Sequence, residues 1–261
     1  MTISIALAGK GGTGKTSIAC LIMRHVLNNG GAPVLAVDAD PASNLGFGLG
    51  LDVDKTIGSI LAGFNENKLV IPLGMSKESY LNSKLNESIV ESRGFDLITM
   101  GRGEGAGCYC FPNNVLKSFI DKLLPNYKFM VMDNEAGLEH LSRGTTESID
   151  ELIIVSNHSV KGVRTVGTIM QLILELKLNI KRKWVVVNQA PDSIDPLVSA
   201  ELSRLGMLSY VKIPEDRLIM EYDWHQRSLL EMSDDSKSVI AVDNMMRQIL
   251  TKYPSEPIHD C

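Results

Sequence analysis

The sequence predicts an α/β protein: a doubly wound, mostly parallel sheet with helices on both faces. Three observations predict it. Short β-branched runs are apolar without alternation, helical periodicity fills the stretches between them, and a glycine-rich turn joins the first strand to the first helix. A strand buried on both faces of a parallel sheet has no polar face to show, so its run is continuously apolar. Strand–helix repetition then puts helices on both faces and ligands at the carboxyl ends of the strands.

In chain order, the expected strands are Ile3–Ala8, Val34–Asp38, Phe95–Met100, Phe129–Asp133, Glu151–Ser156, Trp184–Asn188 and Leu208–Ile213. The expected helices are Lys15–Leu27, Asn114–Leu124, Val163–Leu176, Asp195–Leu205 and Lys237–Leu250. Segment 52–94, with Gly, Asn and Ser scattered among weak helical signals, reads as an insertion between the second and third of these strands. No repeat, low-complexity tract or linker divides the chain, so residues 1–261 read as one domain.

Of the 261 residues, 44% are hydrophobic and 22% charged, the balance of a globular protein with a sizeable core. Lys and Arg number 26 against 31 Asp and Glu, a net charge of −5. An acidic chain is poorly suited to holding nucleic acid through counterion release. No apolar stretch approaches the roughly 20 residues that cross a bilayer. The start, MTISIALAGK, lacks a basic n-region and a cleavage site. The final helix is expected to cover the core through Val239, Val242, Met246, Ile249 and Leu250. Residues 234–261 carry three basic and five acidic side chains, the wrong balance for a membrane-surface helix. Lys181-Arg182-Lys183 is too short for a DNA track and reads as a solvated lead-in to a strand. Four cysteines are too few for a disulfide scaffold, and two are clustered at Cys108 and Cys110. That usage fits a reducing cytoplasm and a thiolate site. The expectation is a cytoplasmic protein with neither nucleic-acid nor membrane partners.

Gly9-Lys10-Gly11-Gly12-Thr13-Gly14-Lys15-Thr16 fits G-x-x-x-x-G-K-[ST], the phosphate loop of P-loop NTPases. Its glycines let successive backbone N–H groups turn toward phosphate oxygens, and the following helix adds its positive N-terminal dipole. Lys15 is expected on the β/γ phosphates and the Thr16 hydroxyl on Mg²⁺. The motif follows an apolar strand and opens a helix, as that chemistry requires.

A second lysine inside the loop, Lys10, has no necessary role in an ordinary phosphate loop. K-G-G-T-G-K-T resembles the deviant Walker A ATPases, relatives of the nitrogenase iron protein, of Min and Par positioning ATPases and of several metallochaperones. That resemblance implies that Lys10 reaches phosphates held by a partner chain across a face-to-face homodimer, in the manner of an arginine finger. It extends to Val37-Asp38-Ala39-Asp40-Pro41, where Asp38 would sit near Mg²⁺ and Asp40 would orient or deprotonate the attacking water. In Val131-Met132-Asp133-Asn134-Glu135-Ala136-Gly137 it implies that Asp133 holds the Mg²⁺ shell and that Gly137 senses the γ-phosphate. Asn188 matches the adenine-reading asparagine, and Pro214-Glu215 the loop flanking the base.

Gly101 to Cys110, GRGEGAGCYC, has four glycines in ten residues and reads as a shaped loop rather than core. In an extended segment residues i and i+2 point the same way, so Cys108 and Cys110 could bind one metal. A closed thiolate site usually needs four ligands. Cys20 reads as a small buried hydrophobe in the first helix, and Cys261 is the last residue. The simplest completion is a twofold dimer giving Cys₄ on its axis. The Cys-Tyr-Cys segment, followed by Asn113–Leu124 and Asp133 through Thr145, resembles the CooC/AcsF-type nickel maturation ATPases of carbon monoxide dehydrogenase and acetyl-CoA synthase. The resemblance implies an ATPase that takes ATP/ADP with Mg²⁺ and binds Ni²⁺ or Zn²⁺ between two chains. It also implies a client nickel enzyme.

Two rival readings stay open. An iron-protein-like reductase would carry a bridging [4Fe–4S] cluster, but that family draws a second cysteine from the region Asp133–Arg143, which here has none. A Min/Par-type positioning ATPase would act on membrane or DNA, against the charge balance above. His140 and Arg143 stand where nucleotide state could couple to the interface, while His158 and His259 receive no role.

Overall fold

A computed structural model describes residues 2–65, 71–102, 118–135 and 148–253. Its eight strands are β1 (Ile3–Gly9), β2 (Val34–Ala39), β3 (Val90–Ser92), β4 (Phe95–Thr99), β5 (Phe129–Asn134), β6 (Ile149–Asn157), β7 (Ile180–Ala190) and β8 (Val211–Pro214). They form one sheet in the order β3-β4-β2-β5-β1-β6-β7-β8. Every pairing is parallel except that of β3 with β4, a short antiparallel edge. β1 is central, between β5 and β6, so the turn after it opens at the middle of the carboxyl edge.

Alternate residues of each strand enter opposite cores, which is why the runs are apolar throughout. Ile5, Leu7 and Ala36 join one cluster with Ile18, Ile22 and Met23 of helix α1 (Lys15–Asn28) and with the last helix. Ala6, Ala8, Leu35 and Val37 join the other, with helices α3 (Ile57–Asn65), α4 (Lys77–Asn86), α5 (Val160–Glu175) and α6 (Pro196–Arg204). A short helix α2 (Leu45–Leu49) lies on the α1 face, and α7 (Arg217–Trp224) precedes α8 (Lys237–Leu250). In α8, Val239, Val242, Met245, Met246 and Ile249 are buried at helical spacing and Leu250 packs partly against them, which bears out the core-covering reading.

The departures from expectation are local. Helix α5 starts three residues early because Ser159 caps it, its side chain accepting from the Gly162 N–H. β8 starts at Val211, leaving Leu208 exposed. Of the expected helix Asn114–Leu124, residues 118–123 are helical and 114–117 lie outside the described residues. Segment 52–94 supplies α3 and α4, where its weak helical signals stood, and the edge strand β3, which the sequence did not mark.

At 181–183 Lys181 and Lys183 are exposed, as a solvated run should be, but the run lies inside β7, which pairs with β6 from Ile180 rather than starting at Trp184. Arg182 is the correction: it pairs with Glu151, while Lys181 pairs with buried Asp150 at 2.6 Å. Glu151 is wholly buried, accepting from Arg182 Nε at 2.7 Å, Trp184 Nε1 at 2.7 Å and the Tyr253 hydroxyl at 2.6 Å. This network ties the end of α8 to two strands. Glu151→Ala, which strips three half-buried donors of their shared acceptor, is expected to cost about 1–3 kcal/mol in urea unfolding. Glu151→Gln, which keeps an acceptor, is expected to lose less.

Candidate functional site

The phosphate loop follows from where its glycines stand. Gly9 ends β1 at φ +150°, and a Cβ there would lie 2.2 Å from the Val155 carbonyl oxygen of the neighbouring strand. Gly14 sits at φ +85°, with a Cβ position 2.3 Å from Asn188 Nδ2. Only glycine fits either position without displacing what it touches. Gly11 and Gly12 are exposed, as is Lys10. Thr13 is buried and binds the Lys10 carbonyl through both its N–H (3.3 Å) and its hydroxyl (2.8 Å), closing the loop. The Lys15 ammonium folds back onto the carbonyls of Gly9 (3.2 Å) and Lys10 (3.4 Å). Helix α1 starts here with no side-chain cap, so its first N–H groups face the loop.

Beside the loop, register brings the carboxylates together. Asp38 of β2 is the partner of Asp133 of β5 and of Thr99 of β4, and Asp133 is also the partner of Leu7 in β1. The Thr16 hydroxyl donates to Asp133 Oδ2 at 2.6 Å, while Asp133 Oδ1 is buried with no hydrogen-bond partner among the described residues. Burial pushes the Asp133 carboxyl up to about 6, against the lowering by the Thr16 hydroxyl and the Lys15 charge. Burial likewise pushes Asp38 up to about 7, with Asp133 adding to the rise. A hydroxyl beside a buried carboxylate with an unused oxygen is an all-oxygen donor set that suits a hard divalent cation such as Mg²⁺. Asp38 stands differently: its Oδ2 accepts the Leu45 N–H at 2.9 Å and its Oδ1 the Asp40 N–H at 3.1 Å. Those contacts hold the 40–45 loop. Asp40 is half-buried, and one of its oxygens accepts the Ala42 N–H at 2.8 Å.

Asn188, at the carboxyl end of β7, is buried and donates through Nδ2 to the Thr13 carbonyl at 2.8 Å. That bond presses it against the phosphate loop and leaves its carbonyl oxygen as the group that could accept from an amino group. Pro214 pairs with Ala190 at the end of β8. Glu215 lines an open cleft of about 420 Å³ between residues 215–218 and 235–237. Gly9 through Thr16, Asp38, Asp40, Asp133 and Asn188 thus lie together at one edge, with Pro214 and Glu215 at its flank.

Cys108, Cys110, Gly137, His140 and Arg143 lie outside the described residues. Cys20 is fully buried, as expected of a small hydrophobe, and burial pushes its thiol up. Two residues escaped the sequence reading. The Thr99 hydroxyl and Asn134 Oδ1 are buried at the same edge with no partner among the described residues, Asn134 spending its Nδ2 on the Leu7 carbonyl at 2.8 Å. Only their place at strand ends could have signalled them.

The acids make the site pH-sensitive. Both titrate higher in the folded chain than in the unfolded one, so their contribution to stability is full below about pH 4 and is lost as pH rises through about 6 and about 7. A bound cation favours the ionised forms. Mg²⁺ with ADP is therefore expected to raise Tm more at pH 7.5 than at pH 5.5, and Asp133→Asn to lose that Mg²⁺ dependence. Thermal melts with and without Mg²⁺ check both.

Comparison with known proteins agrees with this geometry. Residues 1–186 match the AAA domain family AAA_31. The chain is 40% identical over 252 residues to the ATP-binding protein MJ0685 of Methanocaldococcus jannaschii, covering 95% of this chain and 98% of the relative. It is 28% identical over 243 residues to the carbon monoxide dehydrogenase accessory protein CooC of Rhodospirillum rubrum, covering 88% and 90%. A ParA family ATPase from Chlorobium tepidum superposes with a TM-score of 0.71 at 21% identity, covering 95% and 98%, a likeness of fold. With a phosphate loop at the centre of its sheet and a family match over more than half its length, the chain belongs to the AAA_31 family and is an ATP-binding P-loop ATPase.

Proposed function

We propose that this ATPase is a nucleotide-controlled homodimer that carries nickel or zinc as cargo on Cys108 and Cys110 and delivers it to a nickel enzyme, carbon monoxide dehydrogenase or acetyl-CoA synthase. The observation that carries the reading is the Cys108-Tyr-Cys110 pair in a glycine-rich segment of a P-loop ATPase. Two thiolates per chain supply half of a four-thiolate set, and soft sulfur ligands suit both metals. The 28% identity to a carbon monoxide dehydrogenase accessory protein supports the choice of client. Residues 1–261 act as one domain in this reading, since β3 from segment 52–94 pairs into the same sheet.

In this reading the N–H groups of Gly9 to Gly14 and the ammonium of Lys15 hold the ATP phosphates. Thr16 and Asp133 would hold Mg²⁺, which when bound offsets phosphate charge. Asp38 stands beside them and keeps the 40–45 loop in place, so that Asp40 reaches the water that attacks the γ-phosphorus. Asn188 reads the adenine, with Pro214 and Glu215 flanking it. Exposed Lys10 places its ammonium on the partner's phosphates, adding charge that matters most as the γ-phosphoryl departs.

Lys10→Ala is expected to bind nucleotide like the parent and to lose about 10³-fold or more in turnover. Parent-like turnover would end the trans-lysine role. Asp40→Ala is expected to hold ATP without hydrolysing it, and a parent-like hydrolysis rate would remove its assignment. Anaerobic metal analysis with native mass then tests the cargo. One Ni²⁺ or Zn²⁺ per two chains, lost in Cys108→Ala/Cys110→Ala, supports the shared site. Four iron and four sulfide per dimer would make the protein a reductase. No thiol-dependent metal would overturn metal delivery and favour a positioning role.

A further inference from the structure

A row of buried polar side chains crosses three strands at the nucleotide edge, and Thr99 ends it. Asp38 of β2 is the register partner of Asp133 of β5 on one side and of Thr99 of β4 on the other. Two positions earlier on the same strands, Ala36, Val131 and Leu97 all enter the core cluster that α1 covers. Side chains alternate along a strand, so Thr99, Asp38 and Asp133 face α1 as well. Asn134 and its register partner Ala39 face the opposite core and stand outside the row. The row is closed to water, with Thr99 and Asp133 1% exposed and Asp38 0%. Cys20 of α1 lies beneath it: burial pushes its thiol up, and Asp133 and Asp38 add to the rise. Helix α2 seals that side, a Cβ at Gly48 falling 2.5 Å from Cys20 Sγ.

Hydrogen bonds are unevenly shared within the row. Asp38 accepts two loop N–H groups and Asp133 the Thr16 hydroxyl, while the Thr99 hydroxyl is bonded to no described group. A buried hydroxyl without a partner costs stability, and valine would fill the same space without that cost. β4 already sends Phe95 and Leu97 into this face, so a hydroxyl at the next position calls for a reason. The acceptor beside it is Asp38. Register neighbours in a sheet stand about 5 Å apart, and each Asp38 oxygen keeps a lone pair after taking its N–H.

We propose that Thr99 is a positioning residue for Asp38: with Mg²⁺ and nucleotide bound, its hydroxyl donates to the Asp38 carboxylate and fixes the direction in which that carboxylate faces the cation. The proposal rests on the reading above, in which Thr16 and Asp133 hold Mg²⁺ and Asp38 stands beside them. Mg²⁺ keeps several of its waters, and a carboxylate that holds one of them must itself be held. Both donors that Asp38 now uses come from the 40–45 loop. Thr99 offers a third from a sheet strand, on the side away from Asp133.

The test is the gain in ADP affinity that Mg²⁺ brings, measured by calorimetry on the full-length protein in Mg²⁺ and in EDTA. Thr99→Val is expected to lose about 10-fold of that gain while binding ADP in EDTA within about twofold of the parent. Thr99→Ser, which keeps the hydroxyl, is expected to keep the gain. Because the hydroxyl acts through Asp38, adding Thr99→Val to Asp38→Asn is expected to change the gain by less than about twofold. Without nucleotide or Mg²⁺, Thr99→Val is expected to melt at or above the parent Tm, since it removes an unpartnered buried hydroxyl. A parent-like gain in Thr99→Val overturns the proposal, as does a lost gain in Thr99→Ser or an undiminished loss in the Asp38→Asn background. A lowered Tm in Thr99→Val overturns it too, by making the hydroxyl part of the unliganded framework. A parent whose ADP affinity ignores Mg²⁺ would defeat the Thr16–Asp133 cation site along with the proposal, whereas the other failures leave that site standing.

Discussion

Two carboxyl groups on neighbouring strands, Asp38 and Asp133, stand in register at the carboxyl edge of a parallel sheet, both buried. Charges removed from water favour neutral forms unless a cation answers them. That constraint organises what surrounds them. Thr16 is drawn onto Asp133, two loop N–H groups are drawn onto Asp38, and the folded-back Lys15 lies close enough to lower Asp133. The edge is thus prepared for a divalent cation and a polyphosphate. Unless a cation is bound, the same burial makes the two carboxyls costly to ionise.

Helix α1 carries that constraint into the body of the protein. Its amino end opens at the phosphate loop, and nearly every residue from Ile18 to Val26 is buried against the sheet or α8. At its other end His25 Nδ1 pairs with Asp243 of α8 at 2.8 Å. A helix packed along its whole length holds its first turn still, so the N–H groups of the loop are arranged before a phosphate arrives. Preorganised donors of this kind lose less on binding and stabilise developing charge better than mobile ones.

Most of this edge could be read from residue order. The phosphate loop is legible because glycine positions, strand and helix all obey one local rule. The aspartates are legible because a charged residue ending an apolar run is costly without a purpose. Helices α3 and α4 were legible only as weak helical signals in segment 52–94, and the strand β3 was not legible. β3 is three residues long, and α4 is mostly polar with only Tyr80, Leu81 and Leu85 buried. Thr99 and Asn134 carry no local signature, since what marks them is a buried polar atom with no partner among the described residues. Arg182 read as solvent-facing for the same reason, its partner Glu151 being 31 positions away.

The sequence by itself determined the doubly wound architecture, the phosphate loop and its second lysine, and the carboxylates at the strand ends. Each of these is written in short-range pattern: apolar runs, helical periodicity and glycines where φ must be positive. Tertiary structure decided what those residues touch. It made Asp38 the holder of the 40–45 loop, set Asn188 against Thr13, and tied Met100 to both Asp38 and Gly58. These contacts join residues from 7 to 175 positions apart, and such pairings follow from strand order and register, which no local pattern records.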